Sequence, residues 1–281
     1  MKFTIPRINQ PVTITSTPDW PSLSFETDLT GPHVWYWTLK WNTFQKSGMQ
    51  NTTGNRWDAT ATITNYGGTL TVRAEAKQQM ATIAVKILGT DPSIKEVNSY
   101  LAAKANTSGF EKILAQKILA HENNFRQFDD KREPKRSFDN GYGICQLTNP
   151  PPKFEQVWNW KLNIDAGVKL FGEKRSAAIT YLSKNNHTYT AEQLKYETVC
   201  LWNGGHYHVW DAKASKWVRN PNILCDSKTG NMGWDMTDPQ NKGKTEAQLS
   251  KRDFGSYSGG KPAPGSHWDH YGVCYADHLL R

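Results

Sequence analysis

The spacing of the apolar residues changes once along this chain, and that change constrains the fold more than any other feature. Between about Pro11 and Leu88, apolar and polar residues alternate with the period of two that is typical of strands; after Gly89-Thr90-Asp91-Pro92 they recur with helical spacing. A chain of 281 residues is long enough for two domains, each with its own core. We therefore expect an α+β protein with domains at residues 1–90 and 91–281.

The first domain is predicted to be an immunoglobulin-like β-sandwich. In segment 34–41, Trp35, Trp37, Leu39 and Trp41 occupy alternate positions and form one aromatic face. Segments 58–64 and 69–76 are predicted to pair as a hairpin across the turn at 65–68, and segment 80–88 adds another strand. Short strands joined by tight turns are typical of such sandwiches. The segment carries no cluster of acids, histidines or cysteines, so we expect a binding or spacer module.

The second domain is predicted to be mainly helical. Asp91 or Ser93 is expected to cap its first helix, which runs to about residue 103. Further helices are predicted at residues 110–123, 163–182, 190–202 and 270–280. Residues 206–266 are rich in Gly, Asn, Pro and Lys and predict long ordered loops, interrupted by one helix near 245–253.

Composition excludes several classes of partner. A net charge of +8 favours a polyanion, but the basic residues are scattered, and the one dense basic cluster, at 129–136, also contains acids, so no nucleic-acid partner is expected. No apolar run approaches the roughly 20 residues that span a bilayer. The four cysteines show no Cys-x-x-Cys pair, so a zinc ribbon is not indicated, and their spacing does not tell whether any two of them form a disulfide. We expect no metal and no cofactor.

Glu122 is the strongest candidate for chemistry. On the predicted helix 110–123 it projects within about 60° of Ala115, Ile118 and Leu119, on the face expected to point into the core. Burial and the nearby helix C-terminus both favour the protonated carboxyl. A protonated carboxyl is what glycosidic cleavage requires, because the departing sugar oxygen must receive a proton.

Two later segments complete a pattern. Gly141-Tyr142-Gly143-Ile144-Cys145-Gln146-Leu147 combines glycines, an aromatic residue and an amide, and Trp202-Asn203-Gly204-Gly205 closes a predicted helix. With Glu122 at a helix end, the ordered set resembles the lytic transglycosylase and goose-type lysozyme superfamily. The resemblance covers about residues 109–205, and the closing helix around Tyr275 is a weaker fourth match.

The resemblance implies a lysozyme-like fold for residues 91–281, with a core at 109–205, a loop-rich insertion at 206–266 and a closing helix at 270–280. It implies that Glu122 is the catalytic acid. It also implies contacts with the substrate, and the residues at the matching positions are Tyr142, Gln146, Trp202, Asn203 and Tyr275.

The sequence departs from the family pattern at several positions. Trp202 replaces the usual tyrosine, Gly204 an alanine, Asn123 a serine and Cys145 a methionine. Thr148 stands where goose-type lysozymes carry an aspartate that holds the attacking water.

Another carboxylate would have to replace that aspartate. We rank Asp139 first as the second catalytic residue, because the loop ties it closest to Gln146; Asp129 and Asp130 are the alternatives.

These residues predict a muramidase, which cleaves the β-1,4 bond between N-acetylmuramic acid and N-acetylglucosamine in peptidoglycan. If no carboxylate positions water, the expected activity is that of a lytic transglycosylase, with a 1,6-anhydro product. A non-catalytic wall-binding protein remains an alternative of another class. A metal-dependent hydrolase built on His206-x-His208 with Asp211, or on His267-x-x-His270, is a weaker alternative.

The chain start does not match a signal peptide, since Pro6, Asn9 and Gln10 stand where an apolar stretch is needed. We therefore expect delivery to the bacterial periplasm or cell wall by a secretion system, by a phage or as part of a larger chain. An antibacterial effector of this kind implies a dedicated immunity protein, in addition to peptidoglycan glycan strands, as a partner.

Overall fold

The computed structural model describes residues 1–6, 11–104, 113, 117–137, 140–253, 257–258, 261–262 and 267–281. The chain is a mixed α+β protein, as expected. Its strands are β1 Phe3–Ile5, β2 Val12–Thr13, β3 Ser24–Thr27, β4 His33–Trp41, β5 Phe44–Thr52, β6 Arg56–Asp58, β7 Gly68–Ala76, β8 Gln79–Leu88, β9 His208–Asp211, β10 Lys216–Arg219, β11 Ile223–Cys225, β12 Met232–Asp235, β13 Tyr257–Ser258, β14 Lys261–Pro262 and β15 Asp269–His270.

The described helices follow the same order along the chain. They are α1 Thr60–Ile63, α2 Ile94–Lys104, α3 Leu119–Asn123, α4 Phe154–Trp158, α5 Trp160–Leu182, α6 Ala191–Asn203, α7 Glu246–Asp253 and α8 Gly272–Leu280, with a 3₁₀ turn at Lys184–Asn186. None of them is long and apolar enough to cross a bilayer.

The first compact unit, Met1–Val168, contains two β-sheets. One sheet has the order β2-β8-β7-β4-β5, antiparallel except for the parallel pair β2 and β8, and the other has the order β1-β3-β6. Side chains from both sheets enter one core: Trp57 of β6 stacks on Phe25 and lies 6.1 Å, between ring centroids, from Trp35 of β4. The aromatic face predicted for segment 34–41 is confirmed, because Trp35 and Leu39 are fully buried.

Residues beyond 90 belong to the same core. Phe154 of α4 stacks on Phe44 of β5 with 5.5 Å between the ring centroids, and Trp158 contacts Trp41 edge-on at 5.8 Å. Close packing explains Gly67, since a Cβ there would meet the Trp158 ring at 2.2 Å. The expected domain boundary after residue 90 thus falls inside the first unit, and a separate domain at 1–90 stays a prediction.

The second compact unit, Lys169–Arg281, is built from helices and short strands. Helices α6 and α8 pack together so closely that a Cβ at Gly272 would lie 2.1 Å from the carbonyl oxygen of Gly204. A disulfide joins Cys225 of β11 to Cys274 of α8. Segment 206–266, expected to be loops, also contains the hairpin β9-β10, and β11 pairs with β12. Strands of three or four residues are too short to produce a clear period in the sequence.

Local capping explains where two elements begin. Ser93 and Glu96 form the reciprocal bonds of a capping box at the start of α2, which confirms Ser93 as the cap. The strand predicted at 58–64 was wrong beyond Asp58. The Asp58 carboxylate accepts the backbone N–H of Thr60 at 2.9 Å and starts the helical turn α1, although Thr60 and Ile63 are strand-favouring residues.

Candidate functional site

Glu122 lies in the last turn of α3. The helix ends at Asn123, because Asn124 adopts a left-handed conformation and its N–H bonds back to Ala120. Leu119 and Asn123 are buried, whereas Glu122 is half-buried. We expected a buried Glu122 on the core-facing stripe of the helix; it is instead half-buried, and Asn123 is the buried residue at the helix end.

The glycine-rich segment 141–147 folds as a tight loop. Tyr142 pairs with Leu147 across the loop, and their backbone groups exchange two hydrogen bonds of 3.1 Å. Gly143 has φ +72°, and a Cβ there would lie 2.5 Å from Gln127 Oε1 and 2.6 Å from Asn163 Nδ2. Both the backbone conformation and the close approach require glycine at this position.

Buried amide side chains hold this loop in place, and no sequence motif predicts this role for them. Gln127 Oε1 accepts the N–H of Ile144 at 3.0 Å, and Asn163 Oδ1 accepts the N–H of Cys145 at 2.9 Å. Asn123 Nδ2 donates to the carbonyl of Gly143 at 3.0 Å, which ties the residue after Glu122 to the loop. The sequence does contain one indication that Asn163 is buried: it lies on the same stripe of α5 as Trp160 and Ile164, which are both buried.

Electrostatics relate Glu122 to the same loop. Burial raises the pKa of the Cys145 thiol, and the negative charge of Glu122 raises it further, followed by that of Asp165. Such a contribution requires the Glu122 carboxylate to lie near Cys145, the residue before Gln146. Next to Glu122, the buried Oδ1 of Asn123 has no hydrogen-bond partner among the described residues.

Gln146 and Tyr142 occupy different surroundings within the loop. Gln146 is half-buried with φ +48°, and its Nε2 donates to the carbonyl of Gly143 at 2.7 Å. A non-glycine residue in the left-handed region is uncommon and is enriched at functional sites. Tyr142 is buried and contacts Trp41 and Phe44 edge-on, so its ring packs in the core. The substrate contact expected of Tyr142 stays a prediction.

The candidates for a second carboxylate have separate outcomes. Asp139 lies outside the described residues. Asp129 accepts the backbone N–H groups of Lys131 and Glu133, and Asp130 is exposed and paired with Arg126. At the position where the resemblance expects aspartate, the hydroxyl of Thr148 donates to the carbonyl of Gln146 at 3.0 Å.

Trp202 and Asn203 belong to the second unit, at the end of α6. Thr190 and Gln193 begin this helix with a capping box, which confirms the predicted start. Trp202 contacts Phe171 edge-on at 5.8 Å, whereas Asn203 is exposed. Tyr275, also in the second unit, is buried in α8.

The loop tryptophans of the second unit mostly bury their own segments. Trp234 and Trp268 are buried and stacked with 5.7 Å between their centroids. Trp217 is buried and donates to the carbonyl of Leu182, whereas Trp210 is half-buried. These contacts support a packing role for Trp217, Trp234 and Trp268.

The histidine pair His206-x-His208 binds a carboxylate. Nδ1 of His206 and Nδ1 of His208 lie 2.6 Å and 3.1 Å from the two oxygens of Glu197, which is fully buried. Across the described part of the chain, no three His, Cys, Asp or Glu side chains form a group able to hold a metal ion.

A separate depression in the second unit shares none of the predicted site residues. Its volume is about 660 Å³, and it is lined by Lys228, Thr245, Glu246, Ala247, Ser250 and Lys251. It therefore adds nothing to the candidate site around Glu122.

The geometry thus defines one candidate site in the first unit, where Glu122 and Gln146 belong to adjoining segments, and an exposed turn at Asn203 in the second. Comparison of the chain with protein-family models, with curated proteins and with solved structures returns no significant match.

Proposed function

We propose that this protein is a peptidoglycan-degrading glycosidase of the lysozyme type, with Glu122 as its catalytic acid. The observation that carries the proposal is the position of Glu122: half-buried at a helix end, next to Asn123, whose amide donates to the carbonyl of Gly143 in the glycine-rich loop. A carboxyl that is partly shielded from water and still accessible can hold a proton and deliver it to a sugar oxygen.

The rigidity of the loop supports this role. A general acid must be held in hydrogen-bonding reach of the oxygen that it protonates. The buried amides of Gln127 and Asn163 fix the loop that carries Gln146, and Asn123 connects the loop to the helix of Glu122. We expect Gln146 and Oδ1 of Asn123, which has no hydrogen-bond partner in the described part of the chain, to bind polar groups of the glycan or the attacking water.

In the proposed reaction, Glu122 protonates the oxygen that links N-acetylmuramic acid to N-acetylglucosamine, and positive charge develops on the muramoyl ring as the bond breaks. In hydrolysis, water attacks the anomeric carbon, its second proton returns to Glu122, and a reducing sugar results. Asp139 is the proposed residue that holds this water.

A lytic transglycosylase is the second candidate, and one observation favours it. The Thr148 hydroxyl, at the position of the water-holding aspartate, is already bonded to the carbonyl of Gln146. Without a water-holding carboxylate, the 6-hydroxyl of the muramoyl residue attacks the anomeric carbon and loses its proton to Glu122. The 1,6-anhydro product is lighter than the hydrolysis product by one water, so mass spectrometry of digested sacculi separates the two.

The resemblance to lysozyme-type enzymes also leads us to propose a fold type for each part of the chain and a place of action. The two sheets of the first unit are proposed to be an immunoglobulin-like accessory sandwich, and the helices to be of the lysozyme type. The substrate places the action in the bacterial periplasm or wall, which suits a delivered antibacterial effector with an immunity protein in the producing cell.

Zymography on purified peptidoglycan tests the function. The wild-type protein should clear the gel, Glu122→Gln should not, and Glu173→Gln, a change at an exposed glutamate, should clear it like the wild type. Glu122→Gln should still sediment with sacculi. Equal clearing by both variants would remove Glu122 from the mechanism, and no clearing by the wild type would contradict the proposed activity.

A further inference from the structure

The second unit contains a fully buried carboxylate that the proposed mechanism does not use. Glu197 of α6 accepts the backbone N–H groups of Tyr207 at 3.1 Å and His208 at 3.0 Å on one oxygen. The imidazole of His208 contacts that same oxygen, and the imidazole of His206 contacts the other. An ionised carboxylate only accepts hydrogen bonds, so Nδ1 of His206 must be the donor.

His206 differs from the other groups around Glu197 because it lies at the surface. Its side chain is 45% exposed, whereas that of His208 is 6% exposed. The ring of His206 is stacked on Tyr181, with 3.7 Å between the centroids and 16° between the planes. The bond at Nδ1 fixes the tautomer and the stacking fixes the plane, so Nε2 faces away from Glu197 in one defined direction.

The residues just before His206, Asn203 to Gly205, are exposed. Gly204 and Gly205 have φ values of +128° and +83°, and a Cβ at either would lie within 4 Å of none of the described residues. Glycine is therefore required here by the positive φ values, and not by close contact with a described residue. Asn203, just before these glycines, is exposed, and its amide and the fixed imidazole flank this exposed turn.

We infer that His206 is a substrate-recognition residue, which hydrogen-bonds through Nε2 to a hydroxyl or acetamido group of an amino sugar bound at the Asn203 turn; this inference rests on the proposed function. Groups held in one orientation before binding lose little entropy on binding, which is how protein sites gain affinity for polar ligands. Glu197 is the positioning residue, because it acts on the sugar only through His206.

Nδ1 of His206 binds one oxygen of Glu197, whereas two backbone N–H groups and the buried His208 bind the other. This structural role uses Nδ1 of His206 and does not involve Nε2. Stacking on Tyr181 holds the ring of His206, but it does not require a side chain that is 45% exposed. Recognition of a ligand accounts for both the fixed ring and its exposure.

Co-sedimentation with purified sacculi tests this inference in the full chain with Glu122→Gln as background, so that the ligand is bound and not cut. Adding His206→Ala should weaken binding about tenfold, equivalent to one hydrogen bond of roughly 1.4 kcal/mol. The matched control is His187→Ala. His187 is a half-buried histidine of the same unit, stacked on Trp210 at 3.5 Å, and binding should stay within about twofold of the parent.

Glu197→Gln should also weaken binding. Adding His206→Ala to Glu197→Gln should cause little further loss of binding, because the two residues act as one unit. Circular dichroism checks the fold; should Glu197→Gln not fold, the His206 and His187 variants decide. Binding by the His206 variant equal to that of its parent, or loss of its fold, would overturn the inference and leave the proposed function intact. Failure of the Glu122→Gln parent itself to bind sacculi would overturn both.

Discussion

Asn163 Oδ1 accepts the backbone N–H of Cys145 at 2.9 Å, and this bond joins the long helix α5 to the glycine-rich loop of the candidate site. Nδ2 of the same side chain donates to the carbonyls of Tyr142 and Gln156. The loop is therefore held from α5 by a side chain that is itself fully buried. Loop position, and with it the setting of Glu122, depends on this amide.

Replacing Asn163 with alanine should destabilise the first unit. The change leaves the buried N–H of Cys145 without its partner and removes one hydrogen bond from each of the carbonyls of Tyr142 and Gln156, which should lower the free energy of unfolding by about 2–4 kcal/mol. Urea denaturation followed by tryptophan fluorescence measures it. Asn98→Ala, at an exposed position of α2, should change stability by less than about 0.5 kcal/mol. A similar effect of both changes would contradict the role of Asn163.

Two glycines should respond in opposite directions to alanine. Gly143→Ala puts a Cβ about 2.5 Å from buried amides at a positive φ and should destabilise by about 2–4 kcal/mol. Gly172, in α5, has nothing within 4 Å of its Cβ position, so Gly172→Ala should stabilise by up to about 1 kcal/mol. The midpoints of urea unfolding compare the two. Equal tolerance of alanine at both positions would mean that the loop is not packed as described.

The number of thiols that react should differ among the folded, the denatured and the reduced protein. Burial raises the pKa of Cys145, and burial followed by the charge of Glu197 raises that of Cys200, so neither thiol should react rapidly with Ellman's reagent at pH 8 in the folded protein. Denaturation without reductant should expose two thiols, because Cys225 and Cys274 are joined. Reduction should raise the number to four. A rapidly reacting thiol in the folded protein would contradict this assignment.

Asp253 should make the second unit sensitive to acid. Burial alone would raise the pKa of Asp253, but hydrogen bonds from Arg252 and from the indole of Trp234 outweigh it and hold the pKa below its ordinary value. A lowered pKa stabilises the fold above the unfolded pKa, and this contribution disappears as the pH falls through the folded value.

Asp253→Asn should accordingly lower the free energy of unfolding by about 2 kcal/mol at pH 7, and the difference from wild type should shrink as the pH falls below the ordinary pKa of an aspartate. Asp130→Asn, at an exposed ion pair, is the control and should have little effect at either pH. A difference for Asp253→Asn that is equally large in acid would show that its charge is not what stabilises the unit.

Much of the fold follows from local sequence. The helix Trp160–Leu182 and the capped helix Ala191–Asn203 were predicted within about three residues, because strong periodicity and a capping box define them. The short strands after residue 206 were missed, since they are stabilised by pairing and by the Cys225–Cys274 disulfide, which no local pattern reveals. The strand predicted at residues 60–63 is wrong, because the Asp58 carboxylate starts a helical turn there in spite of the strand propensity of the β-branched residues.

The candidate site was predicted less completely than the fold. The sequence motif placed Glu122 beside the glycine-rich loop, and the electrostatic relationship to Cys145 agrees with that position. Gln127, Asn163 and Glu197 were not singled out, because a buried amide or carboxylate resembles a surface residue until its partners, distant in the sequence, are known.

The rate of peptidoglycan cleavage tests the central claim most directly. Release of dye from labelled sacculi should fall by about 100-fold to 10,000-fold in Glu122→Gln, the range for loss of a general acid. Its unfolding curve should match that of the wild type, and Glu173→Gln should retain the wild-type rate. A folded Glu122→Gln protein that releases dye as fast as the wild type would contradict the account.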